Sequence, residues 1–129
     1  LAGIPLTLRG VASSVAFCTA QHRDGPADLR RLAAAADTLV VLMSLGRAPE
    51  LAAELAETLG EGRPVAAISC AGTPRERVLR ATLSTLAGEV RDARLEAPAL
   101  LVVGEVAGAG VLRRLGARPE TVEIAAAEA

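Results

Sequence analysis

Thr38-Leu39-Val40-Val41-Leu42-Met43, followed after a short connection by Pro49-Glu50-Leu51-Ala52-Ala53-Glu54-Leu55-Ala56-Glu57-Thr58-Leu59, is the stretch that decides the fold. The first run is continuously apolar and does not alternate, which is the pattern of a strand buried on both faces. The second places Leu51, Leu55 and Leu59 four residues apart, with Glu50, Glu54 and Glu57 on other faces, as an amphipathic helix does. Gly60 and Gly62 stop that helix, and Pro64 opens the next apolar run, residues 65–70. Buried strands alternating with amphipathic helices predict an α/β fold whose sheet is covered by helices on both faces.

The same alternation extends in both directions. Upstream, residues 14–19 (SVAFCT) read as a strand, and residues 21–26 form a polar break. A helix is expected over 27–36 from the spacing of Leu29, Leu32 and Ala33, with Asp28 near its start, where a carboxylate favours the helix dipole. Downstream come a turn at Gly72-Thr73-Pro74, a strand over 77–82, a helix over 84–93 and, after Pro98, a last strand over 100–104. The expected sheet therefore has about five strands, in one domain spanning 1–106. Residues 107–129 carry weak signals and read as a short helix or a disordered extension. In such sheets ligands gather at loops beyond the strand ends, so the loops after Met43 and after Cys70 are the expected site.

Composition narrows the function. The chain has 129 residues and a formal charge of -1, and all 14 of its basic residues are arginine. They are dispersed among 15 acidic residues, leaving neither an electrostatic footprint for nucleic acid nor a polybasic segment for a membrane surface. Residues 97–112 form the longest apolar stretch, but Glu105, Gly104, Gly108 and Gly110 break it, and it is too short to span a bilayer. Cys18 and Cys70 match no metal-ligand spacing and read as small apolar residues of a reduced, cytoplasmic protein. No metal is expected. His22, the only histidine, lies in a polar run and reads as a solvated loop residue. No nucleophile–base set or phosphate loop stands out, so no catalytic residue is assigned.

Four segments together resemble one family. Residues 3–10, Gly3-Ile4-Pro5-Leu6-Thr7-Leu8-Arg9-Gly10, with Val11-Ala12-Ser13-Ser14-Val15 after them, are similar to a GIPLTHRG-xASSV segment. Residues 38–43 resemble TLVxYMG. Gly72-Thr73-Pro74, with Arg77-Val78 and Thr82-Leu83, resembles RGT-x-x-x-QRVVxGTL. Residues 98–106, Pro98-Ala99-Leu100-Leu101-Val102-Val103-Gly104-Glu105-Val106, resemble PALLVVGEVV. Each segment alone is unspecific; four in order and at matching spacing resemble the uroporphyrinogen-III C-methyltransferase branch of the tetrapyrrole methylases. The departures are Leu8 for a histidine, Leu42 for a tyrosine, Ser44 for a glycine, and Ser69-Cys70-Ala71 for a more polar approach to the turn.

The resemblance implies a two-domain enzyme with S-adenosylmethionine bound in the cleft between its α/β domains. This chain matches the second domain, and its opening Leu1-Ala2-Gly3 reads as mid-sequence. It further implies C-methylation of uroporphyrinogen III to precorrin-2, for sirohaem and cobalamin synthesis, by an enzyme that is a homodimer when full length. Cofactor binding is implied at Met43, Gly72 and Thr73. A thioether suits packing against a purine or a sulfonium, a glycine lets backbone approach a ligand, and the threonine adds a hydroxyl. A guanidinium grips a carboxylate bidentately, so Arg9, with Thr7 beside it, is the candidate for the tetrapyrrole's acetate and propionate groups, the alternative being a solvated loop arginine. Two alternatives stay open: a later corrinoid-pathway methylase, and a non-catalytic half-domain kept for dimerisation.

Overall fold

The computed structural model describes residues 2–21, 23, 25 and 28–108. Five strands form one mixed sheet: β1 (Val15–Thr19), β2 (Thr38–Leu42), β3 (Pro64–Ser69), β4 (Arg77–Thr82) and β5 (Ala99–Val103), in the order β1-β2-β5-β3-β4. Three helices connect them: α1 (Leu29–Ala35), α2 (Ala48–Leu59) and α3 (Leu86–Ala93). Each lies inside or within two residues of the span expected from sequence. β1 and β2 pair in parallel across the α1 crossover, with Phe17 opposite Val40. The last strand inserts antiparallel between β2 and β3, pairing Val40 with Val102 and Ala66 with Val102. That insertion places the most apolar strand of the chain at the centre, where both neighbours and both faces exclude water.

Local chemistry sets the boundaries. Asp28 caps α1, its carboxylate accepting from the Arg31 amide at 3.2 Å. Pro49 sits in the first turn of α2, where its missing N–H costs nothing, and Gly60 ends the helix with φ 89. α2 buries Leu51 and Leu55 completely, together with Ala48 and Ala52.

The sheet's two faces are covered differently. α1, α2 and α3 all pack on one face, through Leu29, Ala33, Leu51, Leu55 and Leu86 against Leu39, Val41, Val65, Ala67, Leu101 and Val103. The other face carries Val40, Ile68, Val78 and Val102, and its cover is the irregular segment through Ile4, Leu6, Leu8 and Ala12, with Val106 of a short 3-10 turn (Glu105–Ala107). Helices on both faces are thus a point of correction: among the described residues every α-helix lies on one side, and only the 3-10 turn reaches the other. Ile4, Leu6 and Leu8 pack partly buried against that face from an irregular segment of bends and turns, which covers it without an α-helix. Ala107 closes that 3-10 turn and is buried, so the expected tail begins later; residues 109–129 lie outside the described residues, as does His22.

Candidate functional site

The loops after β1, β2 and β3 and the segment entering β5 converge at one end of the sheet. β2 and β3 run the same way because both are antiparallel to β5, so their C-terminal ends emerge together. They lie two strands apart, a gap of roughly 10 Å at the usual strand spacing. Main-chain anchors hold this rim. The Cys70 amide donates to the Pro98 carbonyl at 2.8 Å, the Ala20 amide to the Leu42 carbonyl at 2.8 Å, and Arg47 Nη1 to the Ala20 carbonyl at 2.9 Å.

Between these loops is a cavity of about 660 Å³. Met43, Leu45 and Gly46 supply one wall, Ile68 and Ala71 another, and residues 97–100 the floor, with Gln21 at the edge. Among the described residues, no charged one lines it. Met43 has φ 52 and an exposure of 54 %, unusual for a large apolar side chain that ends a central strand. The left-handed backbone turns that side chain out of the β2 alternation. Ser44, next to it, is fully buried and its hydroxyl has no hydrogen-bond partner among the described residues. Burying such a group unpaired costs about 1–3 kcal/mol, a cost concentrated at the cavity wall.

Gly72 and Thr73 continue the loop from Ala71, just beyond the cavity lining. Gly72 has φ 75, a conformation that favours glycine, and its amide donates to Glu76 Oε2 at 2.6 Å. The Thr73 hydroxyl donates to the Cys70 carbonyl at 2.7 Å and accepts from the Arg75 amide at 3.2 Å. Both residues are therefore committed to the turn by their hydrogen bonds, and neither lines the cavity itself.

Thr7 and Arg9 lie elsewhere. They line a second hollow of about 500 Å³ with Gly10, Ser13 and Asp37, at the start of β2, where both are exposed. Six residues of extended chain separate Asp37 from Met43, roughly 20 Å. Sequence reasoning placed Met43 and Arg9 in one enzyme; the fold sets them at opposite ends of one strand. Asp37 was not singled out from sequence. Three hydrogen bonds from Ser13 and Ser14 hold its carboxyl below the usual range, the Ser13 amide contributing most. Burial raises the Cys18 thiol pKa, and no group of metal-ligating residues occurs among the described residues. Arg77 and Arg80 point to opposite sides of β4, the first bonding the Ala93 carbonyl at the end of α3 and the second the Ala107 carbonyl, as period-two geometry requires.

A hollow of this size at the strand ends of an α/β sheet, without a charged residue among its described lining, lies where domains of this class place small-molecule sites, within the range of about 300–1,000 Å³ such sites occupy. The sequence profile of the Tetrapyrrole (Corrin/Porphyrin) Methylases matches residues 1–87, and the chain belongs to that family. The siroheme synthase of Stutzerimonas stutzeri is 44% identical over 111 residues, covering 81% of this chain and 23% of the relative. A uroporphyrinogen-III C-methyltransferase of Pseudomonas fluorescens is 40% identical, covering 83% and 44%. Among solved structures, the Thermus thermophilus uroporphyrin-III C-methyl transferase complexed with S-adenyl homocysteine superposes with a TM-score of 0.71 at 38% identity, covering 81% of this chain and 47% of that one. A cobalt precorrin-4 methyltransferase shares the fold, with a TM-score of 0.75 at 22% identity. The chain thus spans less than half the length of these relatives. No described helix is long and apolar enough to cross a membrane.

Proposed function

We propose that this chain is the C-terminal half of an S-adenosylmethionine-dependent methyltransferase that converts uroporphyrinogen III to precorrin-2, in the cytoplasm, for sirohaem and cobalamin synthesis. One observation carries the reading: the loops after β2 and β3 border a single uncharged cavity, and Met43 is turned out at its wall. An apolar slot without charged groups suits the flat face of a nucleoside. The Met43 thioether packs against it, while the turn at Gly72 and Thr73 brings main chain to its polar edge. A second α/β domain closes the cleft, and the full-length protein is a homodimer.

S-adenosylmethionine, if held there, would supply a methyl group on positively charged sulfur; each of two transfers would, by direct displacement, form a C–CH3 bond at a pyrrole carbon, break the S–CH3 bond and release S-adenosylhomocysteine, with net loss of a proton to solvent. The chain's own residues orient and desolvate the partners so that this displacement proceeds in line. Arg9, with Thr7 beside it, pairs with a carboxylate of the tetrapyrrole. Uroporphyrinogen III carries carboxylates all round its rim, so the roughly 20 Å between Met43 and the Arg9 hollow lets Arg9 meet a carboxylate on the opposite side of the macrocycle from the reacting carbon.

The test has two arms. The full natural polypeptide, given S-adenosylmethionine and uroporphyrinogen III, is expected to release a C-methylated tetrapyrrole and S-adenosylhomocysteine; a folded protein that releases neither refutes the activity. By calorimetry, residues 1–129 alone are expected to bind S-adenosylhomocysteine weakly or undetectably, because one wall of the cleft is missing. Tight binding by this chain alone overturns the two-domain part of the reading.

A further inference from the structure

The turn that presents Arg9 is clamped on both sides by the start of β2. On the entry side, Thr38 Oγ1 donates to the Leu6 carbonyl at 2.9 Å, and Thr38 is fully buried. On the exit side, one carboxylate oxygen of Asp37 accepts from the Ser13 amide at 2.8 Å, the Ser13 hydroxyl at 3.1 Å and the Ser14 hydroxyl at 3.2 Å. Ser14 Oγ in turn accepts from the Asp37 amide at 2.9 Å. Between the clamps, Leu8 and Ala12 exchange backbone hydrogen bonds of 2.9 Å, leaving Arg9 and Gly10 at the tip, with Gly10 at φ 79.

Asp37 lines the same hollow as Arg9, yet its carboxylate is spent on the serines. The Arg9 guanidinium makes no hydrogen bond or ion pair with any described residue. A free cation on an anchored turn is preorganised: the backbone entropy that a loose loop would lose on binding is already lost on folding. We propose that Asp37 is a positioning residue for substrate binding, which holds Ser13 and Ser14 so that the backbone of the Arg9 turn stays placed to present its guanidinium to a tetrapyrrole carboxylate. The proposal rests on the reading of Arg9 as the carboxylate's partner.

A double-mutant cycle on the full natural polypeptide separates positioning from simple stapling of β1 to β2. Uroporphyrin III, the oxidised form of the substrate, is the probe, titrated by fluorescence, with S-adenosylhomocysteine affinity measured in parallel. Asp37→Ala is expected to raise the uroporphyrin Kd roughly 3- to 10-fold when Arg9 is present and to add nothing in an Arg9→Ala background, because contacts that act through one another are not additive. Cofactor affinity stays at the native value throughout. The proposal is overturned if Arg9→Ala weakens binding while Asp37→Ala does not, or if Asp37→Ala costs the same factor with and without Arg9. If Arg9→Ala itself binds like the native protein, the carboxylate reading of Arg9 fails first and takes this proposal with it. Should Asp37→Ala fail to fold, Ser13→Ala removes one of the donors from an exposed position and enters the same cycle under the same criteria.

Discussion

Replacing Gly104 by alanine tests how tightly β5 is seated beside β2. Gly104 follows β5 with φ 145 and ψ 174, a conformation open essentially to glycine alone. A methyl group built there meets the Asp37 carbonyl at 2.7 Å and the Thr38 Cα at 3.4 Å, both backbone atoms of the neighbouring strand. No side chain can swing aside, so β2 itself must shift. The conformational strain costs about 1–3 kcal/mol and the overpacking a similar amount, about 2–6 kcal/mol together. For a domain of this size that lowers Tm by roughly 8 °C or more. The assay is urea unfolding followed by far-UV circular dichroism, with Gly62→Ala as the control, because nothing lies within 4 Å of a methyl group there. The control is expected within about 0.5 kcal/mol of the native protein. If Gly104→Ala is equally neutral, the close approach of β5 to Asp37 is not a constraint, and the explanation of the glycine is wrong.

Two further outcomes follow from the site. Met43 is more than half exposed, so Met43→Ala should leave the urea midpoint nearly unchanged while weakening S-adenosylhomocysteine binding to the full-length protein by roughly 3- to 30-fold, as loss of one packed side chain does; unchanged affinity removes Met43 from the site. The carboxyl of Asp37 titrates below its ordinary value in the folded state, so its contribution is present above the unfolded pKa of about 3.9 and is lost as pH falls through the lower folded value. Asp37→Asn should therefore flatten the acid limb of stability below about pH 4, and a native acid limb that persists in the variant would show that other carboxylates govern it.

The loops of the site were legible because a strand's end is. An uninterrupted apolar run must leave the sheet where it stops, and at Met43 and Cys70 it stops at residues with φ near 50. The floor of the cavity was not legible as a site. Residues 97–100 read as the approach to the last strand and its first residue, with no ligand role, and they line the cavity because β5 inserts between β2 and β3, a pairing that no local pattern encodes. Asp37 escaped notice for the same reason. Its partners, Ser13 and Ser14, are more than twenty positions away, and parallel pairing of β1 with β2 brings them into reach.

Residue by residue, the sequence determined which segments extend, which coil and which face each buries, because period and continuity of apolar positions are local consequences of backbone geometry. It also carried the family, through four short segments whose glycines and arginine keep their order. The tertiary structure decided what shares a surface. It put every described α-helix on one face, while Ile4, Leu6 and Leu8 cover the other from an irregular segment. It also parted Met43 from Arg9 by the length of β2. Both outcomes depend on long-range strand pairing and on burying two faces at once, terms that enter only when the whole sheet is assembled.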